Sequence, residues 1–587
     1  MKGKIPSIHE AFNARSLSTE ELCNTFIISD HYSKLASSTN TIMIGPRGSG
    51  KTTLMRMLQV QSLEAWQHKQ STDFRKSIKF SGVFIPTDRV WKTQFDKICK
   101  KFEFKNEILV VQASFTYHVL ERFISTIEYL TSRTVKKLNN FRSVVLDKAS
   151  ESELVIELAN LFKVVPRINS LKSLEIAITS KKSEISSYLS RRLSVSDFHE
   201  PQPKIIVGEI GTILGNAVAI ANLYFGDREH KWAFLFDELE LAPENIVQPL
   251  VDAMRGGPDN IILKLSLSPY HKNVSITSLP ESSMKDQDLS FISLTATPDK
   301  SGYTFSKELC GNIFSKYGLG VKPVDRYFDE PKPIDEKREF SELIEKDPTF
   351  ANYLKLQKID IDRLENYTEK DKRPTIRKVK FVVQIRNYYR KLNGKKSRKS
   401  PPPLYAGFKN ICKSLEYNPR MLIGITNKFL PLASNETPIP VHEQLKCLSE
   451  LSDSFKALLN TIPIDSSTPD INTIYDLVEK VAQFFQNQIS GDIFRAEPKG
   501  SLIFVRQDNT SLIEAIGFAL NAGAMIAENG VSIDSQQVVD IKKIRCRLSY
   551  LFAHKFGLLM STQREVDLGD IIFPLPPSSQ TEDLFVD

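Results

Sequence analysis

Nine residues near the start of the chain have the types and spacing that phosphate chemistry needs: Gly45-Pro46-Arg47-Gly48-Ser49-Gly50-Lys51-Thr52-Thr53. They fit the pattern G-x-x-x-x-G-K-[ST]. Gly45, Gly48 and Gly50 free the backbone to aim several N–H groups at one point, which cradles phosphate oxygens. A helix that follows adds its positive N-terminal end. Lys51 then reaches the β- and γ-phosphates, and the Thr52 hydroxyl becomes a ligand for Mg²⁺. The flanks agree. Thr41-Ile42-Met43-Ile44 is a short strand-like run, and Leu54, Met55, Met57, Leu58 and Val60 recur at helical spacing. Strand, glycine-rich turn, helix is the frame this motif requires.

A phosphate loop of this kind needs a second group to hold Mg²⁺ and a base to orient water. Residues 232–238 read Trp-Ala-Phe-Leu-Phe-Asp-Glu. The unbroken apolar run from Ala233 to Phe236 is the kind that a buried parallel strand carries. Asp237 falls at its C-terminal end, where α/β sheets place ligands. It is the candidate for holding Mg²⁺, and Glu238 the candidate base that activates the attacking water. By themselves these residues read equally as a strand ending in solvated acids; the upstream loop tips the reading. The presence of both acids points to hydrolysis rather than binding alone. Downstream, Pro243 suits the first turn of a helix running to about Arg255, and Asn260 to Ser268 reads as a further strand.

Far along the chain, residues 418–427 read Asn-Pro-Arg-Met-Leu-Ile-Gly-Ile-Thr-Asn. The order GPRGSGKTT, FLFDE and a distant NPR opening an apolar helix resembles AAA+ ATPases of the origin-recognition/Cdc-type initiator clade and their prokaryotic relatives of unassigned role. The resemblance is carried by residues 8–60, 230–300 and 400–430. It implies bound ATP with Mg²⁺, and a helical lid after the α/β core. It also implies an arginine that opens a lid helix and touches the γ-phosphate, often in a Gly-Asn-Pro-Arg context. Arg420 matches that arginine, with Tyr417 in place of the glycine. The strand after the acid strand is expected to carry a polar γ-phosphate sensor, Ser266 or Ser268. Phe12 to Ser18 looks like the segment leading into the adenine pocket, with Ser18 and Glu21 able to form a capping box. Two departures stand out. Lys51 and Asp237 are 186 positions apart, far more than a minimal core needs. An arginine finger has only a weak candidate, Arg255, which reads equally as a cation at a helix C-terminus.

The elements that must position these residues divide the chain. The expected fold is α/β: a P-loop NTPase (AAA+-like) core with a helical insertion, a helical lid and a winged-helix-like C-terminal domain, the last implied by the resemblance alone. Residues 1–100 and 206–318 form the core, with a strand at Ile78–Pro86, a helix at 207–225, a last strand at 291–294 and a helix at 303–317. Helical patterns such as Leu120–Leu130 and Leu154–Leu161 fill the insertion, 101–205. Residues 319–403 are polar, charged and end in Ser400-Pro401-Pro402-Pro403, which reads as a basic linker or arm. Residues 404–495 are the lid and its extension. Residues 496–587 form the C-terminal domain, with a strand at 501–506, a long helix at 511–527 and a basic stretch holding Lys542, Lys543, Arg545 and Arg547.

Bulk properties bound the remaining choices. The chain has 587 residues, enough for three to four domains, with ordinary hydrophobic (41%) and charged (25%) shares. Six scattered cysteines at no zinc spacing argue against a disulfide scaffold or structural metal and suit a cytoplasmic protein. Met1 to Glu10 has no apolar signal segment. The most apolar helical stretches fall short of the roughly 20 residues a membrane span needs, so no membrane partner is expected. The net charge of +8 is local: Lys370 to Lys399 holds thirteen Lys or Arg and one acid, leaving the rest slightly acidic. That run, with Tyr388 and Tyr389 among its cations, reads either as a salt-dependent contact to DNA or as a solvated linker, and the C-terminal stretch Lys542–Arg547 reads either as a second DNA contact or as a solvated surface. The leading expectation is an ATP-driven switch that assembles with copies of itself and acts on DNA or a partner effector protein, in an antiviral or mobile-element setting. The alternatives are a replication or transposition initiator or loader, and a signalling scaffold that holds nucleotide without turnover.

Overall fold

A run of apolar residues with no polar alternation must be covered on both faces, and such a run, Ala233 to Phe236, lies at the centre of this protein. In the computed structural model, which describes residues 17–101, 105–132, 144–194, 200–271, 289–295, 298–391, 400–464, 471–504, 510–528 and 544–573, five strands form one sheet. They are β1 (Asn40–Ile44), β2 (Phe80–Pro86), β3 (Lys231–Asp237), β4 (Ile261–Leu267) and β5 (Leu289–Ser293). Their order is β2-β3-β4-β1-β5, and every pairing is parallel. The strand carrying the acids is therefore not beside the strand carrying the phosphate loop. β4 lies between them, with Met43 opposite Ser266 and Phe236 opposite Leu265. The C-terminal ends of β1, β4 and β3 open side by side on one edge.

Period-two alternation sends the strand residues into two cores. Ile42, Ile44, Phe234, Phe236 and Leu265 join one cluster; Met43, Ala233, Leu235 and Ile262 join the other, with Leu22, Phe26 and Tyr32 of the N-terminal helices. The first cluster also takes in the helices of the expected insertion at 101–205. The helices Lys105–Thr131, Lys148–Phe162 and Leu171–Ser194 share it. The Phe123 ring stands 4.9 Å from Trp232, and Phe115 stands 6.0 Å from Phe236. The insertion is the cover of the sheet's second face.

Residues 319–403 differ from the expected linker. Helices Glu336–Lys346, Pro348–Leu356 and Arg373–Tyr389 pack into the core that holds the lid. Beneath the cations of the last helix lies an apolar stripe, Ile376, Val379, Val382 and Val383, all buried. Arg386 is fully buried, paired with Asp347, and donates to the Ile489 carbonyl at 2.8 Å. Several exposed cations of this helix meet acids supplied from elsewhere: Arg373 with Glu336, Arg377 with Glu369, Lys378 with Glu497.

The C-terminal residues form a second sheet of four strands, β6 (Lys499–Ile503), β7 (Met525–Ala527), β8 (Cys546–Leu548) and β9 (Arg564–Asp567), in the order β7-β8-β6-β9. β8 is antiparallel to β6 and β7, while β9 runs parallel to β6. The expected helix at 511–527 is Thr510–Ala522. Gly523, at φ +79°, ends it, the Ala524 N–H returns to the Ala519 carbonyl at 2.9 Å, and the chain continues as β7. This unit and the lid share one continuous hydrophobic core.

Candidate functional site

At the end of β1 the chain turns through Gly48 (φ +85°) and Gly50 (φ +94°) into the helix Lys51–Arg56. Side chains with a Cβ rarely adopt these backbone angles. A Cβ on Gly45 would crowd Ser49 Oγ at 2.5 Å and Leu294 Cβ at 2.8 Å, so the loop closes this tightly only with glycine there. Lys51 is buried and folds back over the loop, its Nζ donating to the Gly45 carbonyl at 2.6 Å and the Pro46 carbonyl at 3.3 Å. The ammonium is thus already held at the centre of the loop that the helix N-terminus faces.

Asp237 ends β3 with no exposure to solvent, and neither of its carboxylate oxygens makes a well-formed hydrogen bond. Burial pushes its pKa up to about 6; the nearby Thr52 hydroxyl and Lys51 oppose the rise, while Glu238 and Glu240 add to it. A buried carboxylate without a partner is costly. An unsatisfied acid beside a threonine hydroxyl is an all-oxygen donor set that suits a hard divalent cation such as Mg²⁺. Glu238 follows in a left-handed conformation, φ 55°, before the 3₁₀ turn Leu239–Leu241. For a residue with a Cβ that strain costs roughly 1–2 kcal/mol. Its carboxylate acts electrostatically on both Asp237 and Arg420.

Arg420 is brought to the loop by its own helix start. Asn418 caps the helix Pro419–Phe429, accepting from the Arg420 N–H at 3.0 Å, while Pro419 occupies the first turn. The same Asn418 side chain donates to the Arg47 carbonyl at 3.2 Å, and the Arg420 N–H reaches the Gly48 carbonyl at 3.4 Å. A Cβ on Gly48 would stand 2.9 Å from Arg420 Cβ. Arg420 keeps contact with solvent, yet the protein packed round it, with Arg47 next in effect, holds its pKa below the ordinary arginine value; Glu238 opposes this.

The departure at Tyr417 has a structural reason. Tyr417 has φ 54°, the left-handed angle for which glycine is favoured. Its ring lies on Gly302 of the helix Asp299–Lys316, where any Cβ would collide, and its hydroxyl donates to Asp299 at 2.9 Å. The notch at Gly302 and this hydrogen bond offset the strain.

Other candidates fall unevenly. Ser266 is buried between the loop strand and the acid strand, and its hydroxyl has no partner among the described residues; Ser268, also buried, lies just past the end of β4. Ser18 and Glu21 form the capping box, whereas residues 12–16 lie outside the described residues. So do Lys542, Lys543 and the side chain of Arg255. Arg545 pairs with Glu528 at 2.9 Å and Arg547 with Glu416 at 2.6 Å, so neither presents a bare charge. Five cysteines, Cys23, Cys310, Cys412, Cys447 and Cys546, are free and buried. Among the described residues no acid, histidine or cysteine cluster forms a further metal site.

Beside the loop opens a cleft of about 780 Å³ lined by Phe26, His31, Ser49, Thr53, Pro419 and Met421. It has the size and apolar character of a small-ligand pocket. One wall carries no signal in the sequence: Ala522, Gly523 and Ile526 of the C-terminal unit also line it.

The parallel order with β4 between loop strand and acid strand, and the lid arginine seated on the loop, define the AAA+ P-loop fold. The family comparison says more: the ORC-CDC6-like family matches residues 7–568, and the chain belongs to that family. This membership suggests an AAA+ ATPase of the initiator type that uses nucleotide. Neither the curated proteins nor the solved structures contain a match. Among the described residues, no helix is long and apolar enough to cross a membrane.

Proposed function

We propose that this protein is an ATP-hydrolysing AAA+ switch that assembles with copies of itself and acts on DNA or on a partner protein. The observation that carries the reading is the buried, unpartnered carboxylate of Asp237 beside Lys51 and Thr52, with Glu238 and Arg420 within electrostatic reach. Mg²⁺, held by Asp237 and Thr52, would neutralise charge on the phosphates when bound. Lys51 and the loop N–H groups bind the β- and γ-phosphates. Glu238 takes the proton of the attacking water. Arg420 meets the γ-phosphate from the lid side, so loss of that phosphate alters what holds the lid to the loop.

The DNA part of the reading rests on a narrower set of cations than the charge run first offers, because Arg373, Arg377 and Lys378 face acids. Lys370, Lys372, Lys391 and the tract 392–399, which lies outside the described residues, carry it. Family membership supports the initiator or loader reading as the alternative. A role in prokaryotic antiviral defence belongs to the same proposal.

The test is ATP turnover with and without duplex DNA at two salt concentrations, for wild type, Lys51→Ala and Glu238→Gln. Wild type alone turns over, and DNA stimulates it less at high salt. Turnover unchanged by DNA moves the output to a protein partner. Absent turnover with retained ATP binding replaces the switch by the non-hydrolysing scaffold.

A further inference from the structure

We propose that the C-terminal unit is part of the nucleotide site: residues 521–526 and 547–551 close the cleft and position both the phosphate loop and Arg420, so that docking of this unit and ATP binding strengthen each other. The proposal rests on the reading of the cleft as an ATP site.

Two separate contacts carry it. The first is on the loop itself. The Arg47 N–H donates to the Asn521 carbonyl at 2.9 Å, at the end of the helix Thr510–Ala522. The Asn521 side chain is fixed in turn by both backbone groups of Tyr270, accepting from its N–H at 2.8 Å and donating to its carbonyl at 2.9 Å. Gly517 lies against the Tyr270 ring, where a Cβ would collide. A Cβ on Gly523 would stand 3.6 Å from Pro46 Cβ. The C-terminal helix therefore ends on the backbone of the phosphate loop.

The second contact is on the lid. Glu416 and Tyr417 both adopt left-handed angles immediately before Asn418-Pro419-Arg420. The Glu416 carboxylate takes two guanidinium bonds from Arg547, at 2.6 and 2.8 Å, and the Tyr550 N–H at 2.7 Å. Arg547 also stacks 3.6 Å over the Tyr550 ring. A bidentate, stacked arginine is among the more directional ion pairs. It holds the turn from which Arg420 is launched.

Between these contacts Ala522, Gly523, Ile526, Ser549 and Leu551 line the same cleft as Phe26 and Met421. A ligand filling that cleft touches core, lid and C-terminal unit together. It binds the docked arrangement better than an undocked one, and linkage makes the effect reciprocal. Arg547 acts through Glu416 and so is a positioning residue.

The experiment combines nucleotide titration with amide exchange on the full chain. In wild type, a non-hydrolysable ATP analogue with Mg²⁺ is expected to slow exchange at 510–527 and 546–551 as well as in the loop; Lys51→Ala abolishes that slowing. Arg547→Ala is expected to weaken analogue binding about tenfold, within the usual range of coupling between sites, while Arg547→Lys recovers part of it. A thermal melt of each variant separates this from unfolding. Binding by wild type with unchanged exchange at 510–527 overturns the proposal and leaves the ATP site standing. Equal affinity in wild type and a folded Arg547→Ala also overturns it. No analogue binding at all overturns both readings.

Discussion

Asp237 is the residue where stability and function pull in opposite directions. Its carboxyl has a pKa of about 6 in the fold against an ordinary 3.8. The folded state therefore holds the proton more tightly than the unfolded chain. That is neutral for stability below about pH 4; between pH 4 and 6 the fold loses stability as pH rises, and above pH 6 the full penalty stands. At about 1.36 kcal/mol per unit of pKa, that penalty is on the order of 3 kcal/mol. Asp237→Asn is expected to raise the stability of the nucleotide-free protein by about 1–3 kcal/mol at pH 7–8, with the gain fading at about pH 4, while removing ATP turnover. Denaturant melts across pH check this; a destabilised Asn variant at pH 8 contradicts it. At this scale the sequence was highly legible. Lys51, Thr52, Asp237 and Glu238 are recognisable because phosphate and Mg²⁺ chemistry dictates their types and flanks, whereas Arg420 is singled out only by the family resemblance. The left-handed turns at Glu238 and Tyr417 were not legible, since neither residue type announces φ > 0. They follow from tertiary contacts such as the notch at Gly302.

The helix Arg373–Tyr389 marks the limit of reading elements from composition. Its thirteen-cation neighbourhood suggested a solvated arm, because charge density masks an apolar stripe at helical spacing. The acids that neutralise it, Glu336, Asp347 and Glu497, lie far away in sequence. The cations of this helix therefore divide by burial. Arg386→Ala removes the nearer cation from buried Asp347, leaving it Arg390 at 3.8 Å and the Thr349 hydroxyl, and is expected to cost about 3 kcal/mol. Arg377→Ala, at an exposed pair with Glu369, is expected to change stability little. Equal effects in chemical denaturation contradict the assignment of this helix to the core. The strands were easier to read. β3 is a continuous apolar run and β1 ends in one, Ile42 to Ile44, and such runs have few other destinations in an α/β chain. The helix end at Ala522 was misread because Ala-Gly-Ala-Met-Ile continues an apolar pattern, and only the conformation of Gly523 breaks it.

At the scale of the whole molecule, the insertion covers one face of a single sheet, the N-terminal helices cover the other, and the lid and the C-terminal unit meet at the phosphate loop. Sequence could place the first and last motifs of the site 375 positions apart, from Gly45 to Arg420, but not the docking of residues 521–526 onto the loop between them. That docking depends on backbone hydrogen bonds, which any residue can make. The consequence is a cleft beside the phosphate loop with walls from three parts of the chain; in the proposed function it takes ATP, whose γ-phosphate would point toward Lys51, Glu238 and Arg420. In the proposed function Glu238 is the base that lets the site cleave what it binds. The direct measurement is to load wild type and Glu238→Gln with labelled Mg-ATP, isolate the protein, and identify the nucleotide that stays with it. Retained ADP in wild type and retained ATP in Glu238→Gln is the predicted result; unhydrolysed ATP in both, or ADP in both, contradicts it.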